Sequence, residues 1–276
     1  MAKDIHTTHL SPSSLSTREA ELPPNDHSSV YVQFMPSARR GAVRWDWDRS
    51  VFASHRDWTP EMAYTVGVCL GDGAIYKDWV AIELGQKDRD ILEAVAQAVG
   101  IPEAAIRVTT RKIAGKGSAT TATLKLCSRS AVRDLLARAG LSGPGAKHTR
   151  IQVPPTLPDD FLPDFLRGLI DTDGTVVAPA RRSPQIVLYS NSLDLIQELQ
   201  ARVSPLVGSV RLGAIHPQAC RGTHMWVICG HEARALTTWM WPASGWVGGR
   251  RKAAVAAQKV MGWIPRRAAR AKKPLG

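Results

Sequence analysis

From Thr59 onward the chain repeats itself, and that repeat limits its fold more than any other feature. Two similar segments in series must build two similar structural units. AYTVGVCLGDGAIY (63–76) pairs with DFLRGLIDTDGTVV (164–177) at an offset of 101. AIELGQKDRDIL (81–92) pairs with QIVLYSNSLDLI (185–196), and AIRV (105–108) with SVRL (209–212), both at 104. Leu126-Cys127 pairs with Ile228-Cys229 at 102, and Gly140-x-x-Gly143-x-x-x-Lys147 with Gly245-x-x-Gly248-x-x-x-Lys252 at 105. The offset drifts only at loops.

Each copy reads as αββαββα, so the fold class is α+β in two pseudo-symmetric units. A helix starts at Thr59-Pro60 in copy one and near Asp160 in copy two, with a capping side chain and Pro in the first turn, where its missing N–H costs nothing. It ends at Asp-Gly, with Gly73 or Gly174 expected in the left-handed cap conformation. Short strands follow at 74–77 with 80–84, and at 175–178 with 185–189. Asp90 and Asp194 stand near the start of a second helix. A hairpin comes next, Ile106–Arg111 with Thr121–Leu126 and Val210–Ile215 with Thr223–Ile228, and a third helix closes the unit.

Alternation along the strands splits each sheet into two faces. In copy one Ile82, Leu84, Ile106, Val108, Leu124 and Leu126 point toward helices. Lys77, Trp79, Glu83, Arg107, Thr109, Arg111, Thr121, Thr123 and Lys125 point the other way, with Tyr76 beside them. The matching face of copy two carries Arg181, Ser183, Gln185, Tyr189 and Arg211, together with the apolar Met225 and Val227. Two equivalent polar faces in one basic chain suit a polyanion.

Charge supports that reading. The 276 residues carry 36 basic and 24 acidic side chains, a net charge of +12. Residues 1–57 hold seven of each sign, so the whole excess belongs to residues 58–276. No Asp or Glu follows Glu232, and ten basic residues do, from Arg234 to Lys273. Such a balance attracts nucleic acid first. Residues 7–29, with twelve Ser, Thr or Pro in twenty-three positions, are expected to be disordered. Val30–Phe34 could form a short strand, and Trp45 and Trp47 need something to pack on. The expected organisation is an N-terminal extension (1–57), a first half (58–150), a second half (151–264) and a basic tail (265–276). The absence of an apolar run of 18 residues argues against a spanning helix. The N-terminus has no apolar signal core. Four cysteines in a chain this long do not suggest a disulfide framework, so a reducing, cytoplasmic setting is expected.

The first helix of each copy carries the chemistry. Gly67-x-x-x-Gly71 and Gly168-x-x-x-Thr172 put small residues one turn apart on one face, which lets two helix backbones approach closely. Packed side by side, the helices bring Asp72 and Asp173 together at their C-terminal ends. Two carboxylates ~5 Å apart repel by about 3 kcal/mol at an effective dielectric of ~20. A divalent cation shared by two carboxylates and a phosphate relieves that repulsion and suits phosphodiester hydrolysis.

These residues also resemble a known family. Thr65-Val-Gly-Val-Cys-Leu-Gly-Asp-Gly73 and Leu166-Arg-Gly-Leu-Ile-Asp-Thr-Asp-Gly174 look like the two signature motifs of single-chain LAGLIDADG homing endonucleases. The resemblance covers about residues 58–264 and is stronger in the second motif. It implies a saddle-shaped pseudo-dimer, here a monomer, with both sheets in the major groove of double-stranded DNA. It further implies cleavage of both strands of a long site, dependent on Mg²⁺ or on Mn²⁺ in its place. By the same resemblance Asp72 and Asp173 bind metal, with Gly71 and Thr172 before them as further ligands. Lys147 and Lys252 stand near the scissile phosphates, and Gln86, with Ser190 in its place in copy two, positions solvent. Leu70 departs from the acid found as Asp171 in copy two. No splicing-type Cys start or His-Asn end accompanies the motifs. An intron RNA maturase and a non-cleaving DNA-binding regulator are the rival readings of the same fold.

Weaker signals fall away. Gly115-Lys116-Gly117-Ser118 lacks phosphate-loop spacing and sits where a hairpin must turn. His216, Cys220 and His224 fall at a hairpin tip without paired CxxC spacing. Cys69, Cys127 and Cys229 read as small buried residues.

Overall fold

The structure, a computed structural model, describes residues 58–113, 117–144, 147, 151–179, 182–218 and 222–264. The extension 1–57, the tail 265–276, Arg181 and Cys220 lie outside the described residues.

The repeat appears as two halves with the same element order. The first runs α1 (Pro60–Gly71), β1 (Gly73–Ile75), β2 (Val80–Gly85), α2 (Arg89–Ala98), β3 (Arg107–Ile113), β4 (Gly117–Leu126) and α3 (Arg129–Arg138). The second runs α4 (Leu162–Asp173), β5 (Gly174–Val177), β6 (Gln185–Ser190), α5 (Leu193–Leu206), β7 (Ala214–Gln218), β8 (Thr223–Cys229) and α6 (Gly230–Met240). A short helix α7 (Arg250–Val255), continued by a π-helical turn at Ala256–Val260, follows. The repeat pattern does not foretell it. Each half holds an antiparallel four-stranded sheet, ordered β1-β2-β4-β3 and β5-β6-β8-β7.

The helix starts differ between the halves. Thr59 caps α1 as expected: its Oγ1 accepts from the Met62 N–H at 3.2 Å, and Pro60 fills the first turn. The capping side chain expected for copy two is absent, because a 3₁₀ turn at Asp159–Phe161 feeds the chain directly into α4. Neither Gly73 nor Gly174 adopts the left-handed conformation expected of it. Gly174 is extended (φ −101°, ψ 167°) and begins β5 at once. Both positions need glycine for space. A Cβ on Gly73 would stand 2.4 Å from the Cys69 carbonyl oxygen, and one on Gly174 2.6 Å from that of Ile170.

α1 and α4 pack backbone to backbone. A Cβ on Gly67 would meet the Phe165 carbonyl oxygen at 2.3 Å, and one on Gly168 the Tyr64 carbonyl oxygen at 2.4 Å. One turn on, a Cβ on Gly71 would stand 2.0 Å from Thr172 Oγ1. The remaining faces of both helices are buried in one core that continues through both halves, including Met62, Leu70, Phe165 and Ile170.

The ladders revise three expectations. Gly73 pairs with Ile82 and Gly174 with Leu188, so β2 and β6 correspond at an offset of 106. The helices that follow keep 104, with Asp88 and Ser192 as N-caps. Copy one takes up the two extra residues in a 3₁₀ turn, Gln86–Asp88. Ser190 therefore corresponds to Leu84, not to Gln86. Strand β7 starts at Ala214 rather than Val210, which is fully exposed, because Gly213 turns with φ +65° against the Val227 carbonyl. Arg211 thus precedes the strand. His216 opposite Met225 takes the ladder place that Arg107 opposite Thr123 holds in copy one. Val108, expected to face the helices, is 46% exposed on edge strand β3. Ile82, Leu84, Ile106, Leu124 and Leu126 are buried as expected.

Candidate functional site

Because α1 and α4 touch along their length, their C-terminal ends coincide. Asp72 caps α1 and Asp173 ends α4. Asp173 Oδ2 lies 3.3 Å from where a Gly71 Cβ would be, so the second acid leans on the end of the first helix. Both side chains are open to solvent. Among the described residues neither carboxylate accepts a hydrogen bond or forms an ion pair. Partial desolvation and the charge of Asp72 push Asp173 up to about 6, against the pull of Lys147 and Lys252. Desolvation raises Asp72 as well. The repulsion belongs to the pair and not to either acid alone.

The two lysines hold the helix ends. Lys147 Nζ donates to the carbonyls of Gly71 (2.6 Å) and Gly73. Lys252 Nζ donates to those of Ile170, Asp171 and Gly174 at 2.7–2.8 Å. The carbonyls belong to the last turn of each helix and the strand residue that follows it, where the macrodipole favours a cation. Burial lowers both lysine pKa values, most strongly opposed by Cys69 at Lys147 and by Asp171 at Lys252.

Two clefts open at this point, and each mixes the halves. The first, about 450 Å³, is lined by Asp72 from the first half and Lys252 from the second, with Glu83, Lys87, Asp88 and Arg251 around them. The second, about 300 Å³, is lined by Asp173 and Ser190 from the second half and Lys147 from the first, with Asn191 and Tyr189. Either has room for a hydrated cation at ~30 Å³ per water. Gln86 is exposed between Gly85 and Lys87, which line the first cleft. Ser190 Oγ accepts from the Ser192 N–H (3.1 Å), and Asn191 Oδ1 from Thr223 Oγ1 (2.8 Å).

The donor set fits a hard divalent cation. Among the described residues no group of three or more His, Cys, Asp or Glu side chains gathers to hold a metal. Two carboxylates without partners among the described residues, with the nearby backbone carbonyls of Thr172 and, on the lone pair Lys147 leaves, Gly71, are what a cation like Mg²⁺ uses when phosphate and water supply its other ligands.

Of the candidate DNA contacts, Tyr76, Lys77, Glu83, Arg107, Thr109, Arg111, Lys125 and Arg211 are exposed, and Trp79, Thr123, Ser183, Gln185 and Tyr189 are half-buried. The polar face of the first sheet is continuous: Glu83 pairs with Thr123 and Thr123 with Arg107. On the second sheet Tyr189 pairs with Met225, and Val187 with Val227, a more apolar surface.

Sequence reasoning missed the clasp behind the clefts. Arg167 is fully buried and donates to the carbonyls of Met240 and Val247 and to Asp164 Oδ1 (2.6 Å). Asp171, also buried, accepts on Oδ2 from Tyr64 Oη (2.9 Å) and the Gly249 N–H (2.8 Å). Burial pushes Asp171 up to about 6, although both hydrogen bonds and the Lys252 and Arg167 charges favour its ionised form. Beyond it, Asp90 accepts from the Arg250 N–H and Asp88 pairs with Arg251. The available signal was two charges inside the second motif helix, Arg167 and Asp171, where the first has the apolar Val66 and Leu70.

Residues 160–206 match the profile of the LAGLIDADG-like domain family. The LAGLIDADG-like segment runs from the 3₁₀ turn before α4 to the end of α5 and holds Asp173, Ser190 and Asn191. No curated protein sequence matches the chain. Among solved structures, the homing endonuclease I-WcaI bound to its DNA recognition sequence is 13% identical, with a TM-score of 0.47 over 67% of this chain and 85% of that one. The N-terminal LAGLIDADG domain of DUF199/WhiA is 11% identical (TM-score 0.44, 70% and 88% covered). A variant of I-DmoI in complex with nicked target DNA in the presence of manganese is 14% identical (TM-score 0.39, 68% and 97% covered). No helix among the described residues is long and apolar enough to cross a membrane.

Proposed function

We propose that this chain is a site-specific DNA endonuclease that hydrolyses a phosphodiester bond in each strand of a long recognition site. The reading rests on one observation above all: two carboxylates that have no hydrogen-bond or ion-pair partner among the described residues meet where two glycine-packed helices end, each in a cleft with a lysine from the opposite half. A protein that only bound DNA would gain nothing by setting two acids against a phosphate backbone. Residues 58–150 and 151–264 are, in this reading, the two LAGLIDADG halves, which act together in one chain without a partner copy. The DNA substrate puts the protein inside the cell.

Asp72 and Asp173, with the backbone oxygens of Gly71 and Thr172, are the groups that would hold Mg²⁺ or Mn²⁺. Such an ion supplies neutralisation of developing phosphate charge and a more acidic water. The chain's own contribution is position and charge. Lys147 and Lys252 fix the helix ends that carry the acids and keep positive charge where the phosphate charge grows. Ser190 and Asn191 in the second cleft, and Gln86 with Lys87 at the first, are placed to order solvent. The exposed basic and polar residues of the first sheet contact phosphates and base edges.

One observation favours a second reading, a non-cleaving DNA-binding regulator. Both lysine ammoniums are committed to backbone carbonyls, a role that needs no catalysis. Duplexes selected from a random pool by the full chain separate the two. With Mg²⁺ the endonuclease reading expects a cut in both strands at one position of the selected site. Tight binding without cutting, in Mg²⁺ and in Mn²⁺, supports the regulator, and tighter binding to structured RNA than to duplex supports a maturase.

A further inference from the structure

An aromatic pair at the tip of the first hairpin is not accounted for by cleavage. Tyr76 and Trp79 flank the turn between β1 and β2, and the Tyr76 N–H donates to the Trp79 carbonyl at 2.8 Å. Their rings stack with centroids 3.7 Å apart and planes 16° from parallel. Lys125 Nζ lies 4.7 Å from the Trp79 ring centroid. An Arg129–Asp78 ion pair at 2.6 Å ties the turn to the start of α3. Tyr76 nevertheless remains 41% exposed.

The pair stands on the polar face. Alternation puts Tyr76 in the row of Ala74, and Ala74 pairs with Ala81, which pairs with Lys125. An apolar island of two rings and two small side chains thus lies in the sheet face that the functional reading turns toward DNA. A phosphate contact needs only a donor such as the Tyr76 hydroxyl or Lys125 and no second ring, and a flipped base would need the stacking slot that the rings already fill with each other. In the major groove the apolar group a duplex offers is the C5-methyl of thymine.

We propose that the Tyr76–Trp79 tip is a specificity element that reads a thymine methyl in one half-site. The inference rests on the duplex-DNA reading above. Tyr76 lies three residues along the strand from Gly73, which follows Asp72. At about 3.3 Å per residue that is roughly 10 Å, or about three base pairs from the cut at ~3.4 Å per base pair. The element is one-sided. Val177 stands in the place of Tyr76 on the second sheet, and the connection 178–184, Ala-Pro-Ala-Arg-Arg-Ser-Pro, contains no aromatic residue.

The test compares two random duplex pools bound by the full chain, one built with thymine and one with uracil in its place. The first pool should enrich thymine at one position about three base pairs from the cut, in one half only, and the second should show no matching uracil preference. Replacing that single thymine by uracil in a selected duplex should weaken binding about fourfold, the worth of one buried methyl group. Tyr76→Ala, remote from both clefts, should bind the thymine and uracil duplexes equally while leaving the circular dichroism unchanged. Equal binding of thymine and uracil duplexes by the unaltered protein overturns the inference, as does Tyr76→Ala that still discriminates. Failure to bind either pool overturns the duplex-DNA reading itself and this inference with it.

Discussion

Across the pseudo-twofold axis the same two positions carry opposite chemistry. On one side Tyr64 donates to Asp171 inside the helix interface. On the other, the residues at the same offset of 101 are Phe165 and Leu70, both fully buried and apolar. The polar pair also anchors a chain segment: Asp171 accepts the Gly249 N–H, three residues before Lys252. Asp88 and Asp90 of the first half hold Arg251 and Arg250 of the same segment. The residues just before Lys147 lie outside the described ones, and beyond it the contact is a hydroxyl, Ser192 Oγ donating to the Ile151 carbonyl at 2.5 Å. The halves thus agree in the parts that meet phosphate, one acid and one lysine each, and diverge in the parts that hold those groups still.

The largest expected effect tests the symmetric part. Gly67→Ala and Gly168→Ala each drive a methyl group into backbone of the opposite helix, where neither side can yield. Each should cost about 3 kcal/mol or more, seen as a lower urea midpoint with an unchanged slope. Similar losses at the two positions support a symmetric seam, and a loss below about 1 kcal/mol at either breaks it.

The asymmetric pair should show itself as coupling. Asp171→Leu leaves the Gly249 N–H and the Tyr64 hydroxyl buried without their acceptor and should cost about 2–3 kcal/mol. Adding Tyr64→Phe reproduces the apolar arrangement of the twin position and should recover about 1 kcal/mol of that loss. Strict additivity would mean that the hydrogen bond does not hold the interface.

The smallest effect concerns pH. Asp173 has an ordinary value of 3.8 and is pushed up to about 6, so the folded chain binds this proton more tightly than the unfolded one. Its charge therefore penalises the fold in full above pH 6, and the penalty fades as pH falls toward 4. Asp173→Asn should raise Tm slightly at pH 7.5 and not at pH 4. Millimolar Mg²⁺ should raise the Tm of the unaltered protein at pH 7.5 and leave Asp173→Asn unmoved. A thermal-shift series over pH and Mg²⁺ checks both, and an Asp173→Asn protein less stable at pH 7.5 would show that the acids are not crowded.

How far the sequence revealed this depends on the kind of signal. The element order, both sheets and the glycine contact between α1 and α4 follow from period and residue size, which act locally. The register of β6 and the start of β7 do not. A three-residue 3₁₀ turn at Gln86–Asp88 and a left-handed Gly213 shift strands by amounts that similar letters cannot report, which is why Ser190 aligns by letter with Gln86, and Arg211 with Arg107, although the ladders pair them otherwise. The clasp was illegible because Arg167 satisfies carbonyls at Met240 and Val247, more than seventy residues away. A lone Arg or Asp in an apolar helix announces that a partner exists but not where.

The account stands on Asp72 and Asp173 serving one cutting centre built from both halves. Cleavage of a selected duplex by Asp72→Asn and Asp173→Asn, measured on both strands in Mg²⁺ alongside binding, tests this most directly. Asn keeps the size of the side chain and removes the charge that holds a cation, so each variant should bind as tightly as the unaltered protein or more tightly. Each should lose double-strand cleavage, with nicking as the most that remains. Cutting of both strands at the unaltered rate by either variant would contradict it.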